Sequence, residues 1–189
     1  MRKILFPTLF AATLFLANIA TTKTESASKT ATNKKAVSAK QLQCEVYGYV
    51  IDKDPKGLNV RSAPNGKASI VGKLNKGESG IEVTVIGSSN KWLQIKDAQS
   101  PDNDAKELYE GMGWVYAAMI GTSTRGYDTG KVKLYKSPDK KGGTVGTIPK
   151  ETEVKLTGCR DSWAKVGYKG KQGWLARDDQ CGASMTTCP

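Results

Sequence analysis

The sequence predicts an all-β fold: two small β-barrels in tandem, preceded by a signal peptide and a disordered linker. Three observations predict it. The first is an internal repeat. Residues 58–64, Leu-Asn-Val-Arg-Ser-Ala-Pro, return as residues 132–138, Val-Lys-Leu-Tyr-Lys-Ser-Pro, an offset of 74 positions, and residues 71–74 return as 145–148 at the same offset. Residues 82–87 and 92–95 then match 153–158 and 163–166 at an offset of 71, and each half ends on Gly-Trp-aliphatic, at 113–115 and 173–175. The second is alternation of apolar and polar residues at period two in Val83-Thr84-Val85, Val154-Lys155-Leu156 and Trp163-Ala164-Lys165-Val166, the signature of strands with one buried face. The third is turn chemistry between those runs: Pro-Asn-Gly at 64–66, Ser-Ser-Asn at 88–90, Gly142-Gly143 and Tyr-Lys-Gly-Lys at 168–171 supply the dihedrals of tight reversals. Short strands in so few residues cannot cover both faces of a flat sheet, and closing the sheet into a small barrel is the stable arrangement.

Residues 1–20 are expected to be a signal peptide. Met1-Arg2-Lys3 is basic and the following stretch is apolar, but Pro7, Thr8, Thr13 and Asn18 interrupt it, whereas a membrane span needs about 20 strongly apolar residues. The expected protein is exported, periplasmic or secreted, with no integral membrane segment after cleavage. Residues 21–43 are Thr, Ser, Ala and Lys with no aromatic residue, too polar to bury a core, and are expected to be a disordered linker. The first barrel is expected over 44–121 and the second, with a cysteine-containing tail, over 122–189.

The two halves differ in charge and in one hairpin. Residues 41–121 carry nine basic and ten acidic side chains, whereas residues 122–189 carry thirteen and seven. Trp92 and Trp114 are 22 positions apart but Trp163 and Trp174 only 11, so the first repeat carries an insertion. That insertion is acidic, with Asp97, Asp102, Asp104, Glu107 and Glu110 against Lys106, yet Asp102-Asn103-Asp104 lacks the ligand spacing of an EF-hand loop and reads as a solvated loop. Conversely, Lys131, Lys133, Lys136, Lys140, Lys141, Lys165, Lys169 and Lys171 make the second half a basic face suited to an anionic partner, or simply a solvated lysine-rich surface.

Four cysteines, Cys44, Cys159, Cys181 and Cys188, are an even number in an exported chain, so disulfides are expected, with three pairings open. No Cys-x-x-Cys unit and no histidine are present, so neither a metal nor any cofactor is expected. The lack of histidine also excludes a Ser-His-Asp triad and a Cys-His pair, and the chain is expected not to be an enzyme. Export and the near-neutral first half argue against nucleic acid as a partner.

Residues 58–64, Val71-Gly72, the strand Lys91-Trp92-Leu93-Gln94-Ile95 and the closing Gly113-Trp114-Val115 resemble the bacterial SH3 (SH3b) domain, and the second repeat resembles a divergent copy in which Lys133-Leu134-Tyr135 replaces Asn-Val-Arg. The resemblance covers roughly residues 44 to 178. It implies two SH3-like barrels in an exported or envelope protein, serving as a targeting or binding module, in some members for peptidoglycan. Peptidoglycan or an envelope protein is the partner this implies, and a structural scaffold without wall binding is the alternative. The repeat positions expected to be structural are Val60, Arg61, Pro64, Gly72 and Trp114 in the first copy and Pro138, Gly146 and Trp174 in the second. Candidate ligand-binding residues are Trp92 and Trp163, each placed just after a turn where an indole either lies half exposed or caps its core, together with Tyr49, Tyr116, Tyr135 and Tyr168, which could line a groove.

Overall fold

A computed structural model of the chain describes residues 41–75, 80–101, 107–127 and 130–183. The expected signal peptide and nearly all of the expected linker, along with Asp102, Asp104, Lys106 and Cys188, lie outside these residues. The described residues belong to one compact unit.

The described residues are strands joined by tight turns. In the first repeat these are β1 (Leu42–Val50), β2 (Leu58–Arg61), β3 (Ile70–Leu74), β4 (Glu82–Ser89), β5 (Trp92–Gln99) and β6 (Glu107–Tyr116). A short 3₁₀ turn, Ala117–Met119, leads into β7 (Ile120–Thr124). The second repeat follows with β8 (Lys131–Tyr135), β9 (Thr144–Pro149), β10 (Glu153–Arg160), β11 (Trp163–Tyr168) and β12 (Lys171–Leu175), then a second 3₁₀ turn, Arg177–Asp179, and β13 (Gln180–Cys181).

Hydrogen bonding joins these strands along one path, β3-β2-β6-β5-β4-β1-β7-β10-β11-β12-β8-β9, with β13 attached to β7. The two ends of that path carry the same order of equivalent strands, β3-β2-β6-β5-β4 and β9-β8-β12-β11-β10, as the sequence repeat requires. The expected closure into barrels is absent from the ladder, which is open at β3 and β9. The pairing is too sparse for a ring: β3 and β9 each pair on one side only, and behind them β2 meets β6 through one residue pair, Arg61 opposite Trp114, and β8 meets β12 through one, Tyr135 opposite Trp174. The core is nonetheless covered, with Val60 and Leu74 of the first repeat and Leu134 and Ile148 of the second buried by side-chain packing.

β7 has two roles. It pairs with β1, Tyr49 opposite Gly121, and so follows the last strand of the first repeat. It also pairs with β10, Ser123 opposite Glu153, and with β13, Ser123 opposite Cys181. Since β1 sets Tyr49 opposite Glu82 on β4, the relation of β1 to β4 and β7 is reproduced by the relation of β7 to β10 and β13. One strand therefore ends the first repeat and begins the second, and one hydrophobic cluster, including Val60, Leu74, Val85 and Ile95 with Leu134, Ile148, Leu156 and Val166, runs through both.

The shared strand is reinforced by a clamp between β1 and β10. Cys44 and Cys159 form a disulfide. Beside it, the Glu45 N–H donates to the Asp161 carbonyl at 2.7 Å and the Asp161 N–H to the Gln43 carbonyl at 2.9 Å. The buried Ser88 hydroxyl on β4 donates to the Cys159 carbonyl at 3.1 Å and accepts from the Cys159 N–H at 3.2 Å. Cys181 is disulfide-bonded as well.

Candidate functional site

Trp92 and Trp163 begin β5 and β11 at equivalent places in the two repeats. Each follows a two-residue hairpin loop, Asn90-Lys91 or Asp161-Ser162, whose first residue is left-handed, with φ 53 at Asn90 and φ 53 at Asp161. Asn and Asp tolerate that conformation better than other side-chain-bearing residues, which explains why a short polar residue stands there in both copies. Both indoles are half-buried.

Each indole is backed by a tyrosine, but from a different strand. Trp92 meets Tyr116 of β6 with centroids 5.6 Å apart and planes at 63°, while Trp163 meets Tyr135 of β8 at 5.5 Å and 89°. Such edge-on pairs contribute about 0.5–1.5 kcal/mol beyond burial alone. The position equivalent to Tyr135 is Arg61, whose guanidinium instead donates to the Ala68 carbonyl at 2.8 Å and closes the loop after β2. The position equivalent to Tyr116 is Ala176. The aromatic pairing was thus built twice with different partners, and in both cases one side of the indole remains at the surface.

The other candidates do not join these pairs. Tyr49 is buried at 7% exposure between the repeats, where its phenol shares a 2.7 Å hydrogen bond with the Ser123 hydroxyl and lies 3.4 Å from a Glu153 carboxylate oxygen. Burial is the largest influence on that phenol and raises its pKa above the ordinary value, with the Ser123 bond acting in the opposite sense and the Glu153 charge adding to the rise. Tyr168 stands at the far end of β11 from Trp163, about 17 Å along a strand of this rise.

Among the repeat positions, Val60 is fully buried and Trp114 nearly so, while Trp174 is half-buried with the Lys165 ammonium 5.9 Å from its ring centroid. Pro64 and Pro138 sit half-buried in loops closed by equivalent backbone bonds, Ser62 N–H to Ser69 and Lys136 N–H to Gly143. Gly72 lies under the ring of Tyr109, 2.5 Å from where a Cβ would be, and the equivalent Gly146 has only the Lys171 side chain nearby. Sequence reasoning missed Tyr109, whose place on the inserted hairpin carried no pattern. An open groove of about 280 Å³ lies where Tyr47, Glu82 and Asp97 face Gly182.

Two solved structures resemble the chain distantly. NlpC1 from Trichomonas vaginalis has 12% identity and a TM-score of 0.31 over 76% of this chain and 48% of its own, and NlpC2 from the same organism has 12% identity and a TM-score of 0.31 over 73% and 48%. The chain thus spans about half the length of each. No curated protein matches it. The family described as bacterial SH3 domain matches twice, over residues 56–121 and 130–179, the same two segments that the offset repeat and the mirrored strand order mark out. The chain belongs to the bacterial SH3 domain family.

Proposed function

We propose that the protein is an exported, non-enzymatic binding protein of the cell envelope whose tandem domains hold a cell-wall peptide or glycan, or an envelope protein partner. The observation that carries this reading is the duplication of a surface-edged indole, Trp92 and Trp163, in two domains of a family of small binding modules. Family membership and the Cys44–Cys159 disulfide support export, because such bonds persist in oxidising compartments. A composition without imidazole supports binding over hydrolysis. The clamp between β1 and β10 joins the two repeats, and two weak contacts carried on one joined body can act together on one polymer.

Retention of the full chain on purified peptidoglycan tests the reading. Binding is expected to persist in about 0.5 M salt, where charges beyond roughly 4 Å are screened. Trp92→Ala and Trp163→Ala are each expected to weaken it at least threefold, and the double variant more than their product. Equal retention of wild type and double variant, with both folded by circular dichroism, would favour the alternative of a structural scaffold that packs on another envelope protein.

A further inference from the structure

The two repeats differ where the β5–β6 and β11–β12 hairpins end, and that difference leaves a groove in the second repeat where the first carries a ring. In the first repeat the long β5–β6 hairpin lays Tyr109 over Gly72, and the ring occupies the surface above that strand. In the second repeat the hairpin between β11 and β12 reverses in two residues, Lys169 and Gly170, with φ 44 and φ 76. No ring reaches Gly146, and a groove of about 460 Å³ remains, bordered by Lys131, Leu134, Gly146, Tyr168, Lys169 and Lys171. A second groove of about 500 Å³ lies on the other side of the same hairpin and shares Tyr168, Lys169 and Lys171 with the first.

The first groove is lined by Lys131, Lys169 and Lys171 with no carboxylate, and the second adds Lys155 and one carboxylate, Glu153. Lys169 and Lys171 are exposed, and neither is in an ion pair among the described residues. Lys169 stands 5.3 Å from the centroid of the half-buried Tyr168 ring. Its backbone is left-handed, a conformation that favours Gly or Asn, so the turn holds a cation where local preference would not put one. The neighbouring edge strand β9 ends in Pro149, which has no N–H to offer and so disfavours an extended peptide adding itself to the sheet there. An open groove with Gly146 in its lining, an aromatic ring at its side and two exposed ammonium groups outside any ion pair among the described residues suits a hydroxylated chain bearing negative charges.

We infer that the second domain binds a linear acidic glycan across the β11–β12 hairpin, with Lys169 and Lys171 meeting the anionic groups and Tyr168 bordering a sugar ring. This site goes beyond the paired indoles and does not depend on them, since it occupies the opposite end of β11. The test is titration calorimetry of the full chain with an oligogalacturonate, a linear sugar chain with one carboxylate per residue, at about 0.15 M salt. Lys169→Gly with Lys171→Gln should lower its affinity at least tenfold, while the control pair Lys53→Gln and Lys56→Gln on the first domain should change it less than twofold. Glycine is at home at φ 44, so the first pair should retain the wild-type melting temperature and separates lost binding from lost folding. Trp92→Ala with Trp163→Ala should leave this affinity unchanged even where wall retention is lost. Absence of oligogalacturonate binding, equal loss in the control pair, or equally tight binding of a polyglutamate of the same charge would each overturn the inference.

Discussion

Gly113 and Gly173 show why each repeat ends in Gly-Trp. A side chain at Gly113 would run into Val60, and one at Gly173 would come within 2.5 Å of Leu134, because in both repeats the core residue of the second strand crosses directly over the glycine. Gly113→Ala and Gly173→Ala are each expected to lower stability by about 1–3 kcal/mol, the usual range for overpacking, as read from urea midpoints. The identity of these glycines was legible in the sequence as half of a repeated motif, but the reason was not, since it lies in contacts between residues 53 and 39 positions apart. Tyr49 was legible only as a candidate for a groove and is instead part of the join between repeats. Tyr49→Phe is expected to cost about 1 kcal/mol through the lost Ser123 bond. It also changes the alkaline limb of stability. Burial raises the Tyr49 pKa on folding, so the folded chain holds this proton more tightly than the unfolded one. The associated stabilisation is intact below about pH 10 and declines as pH climbs from there through the folded value. Denaturant midpoints measured from about pH 8 to about pH 11 should therefore fall less steeply in Tyr49→Phe than in the wild type. Some slope remains from Tyr109, which burial also raises.

The strands themselves were the most legible elements, because period-two burial and paired turn signals act locally. The β4–β5 and β10–β11 hairpins carry the same bulge, at Gly87 and Gly158, and the same left-handed loop residue, so the second copy can be read from the first. Asn65 and Asp139, also equivalent, each accept a backbone N–H two residues on, from Lys67 at 3.0 Å and Lys141 at 2.8 Å. The disulfide pairing was not legible, since three pairings satisfy the same count. Cys44–Cys159 encloses a separation of 115 residues, for which loss of loop-closure entropy corresponds to about 4–5 kcal/mol. Cys44→Ser with Cys159→Ser is accordingly expected to lower the free energy of unfolding by that amount, read from the guanidinium midpoint and slope. An unchanged midpoint would mean that β7 and Ser88 hold β1 and β10 together without the covalent bond.

At the scale of the whole molecule, the two repeats should behave as one cooperative body rather than as two beads. Calorimetry of the full chain is expected to give a single transition with equal calorimetric and van't Hoff enthalpies, and two resolved peaks would contradict the shared strand. A chain cut to residues 126–189 should lack a cooperative transition, because it discards the strand against which both β10 and β13 pair. This sharing was invisible in the sequence: the equivalent positions of β1 and β7 are filled by unlike residues, Tyr49 against Ser123 and Val50 against Thr124, so only the backbone register reveals it. It also sets a rule for how such proteins could lengthen. Each copy borrows its opening strand from its predecessor, so copy number can grow only by handing on the last strand to a newcomer. Here the last strand is two residues long, and the chain after it turns back at Gly182 onto the backbone of Tyr47. A newcomer would therefore find only two residues of β13 to share, a far shorter edge than the five that β7 offers the second copy.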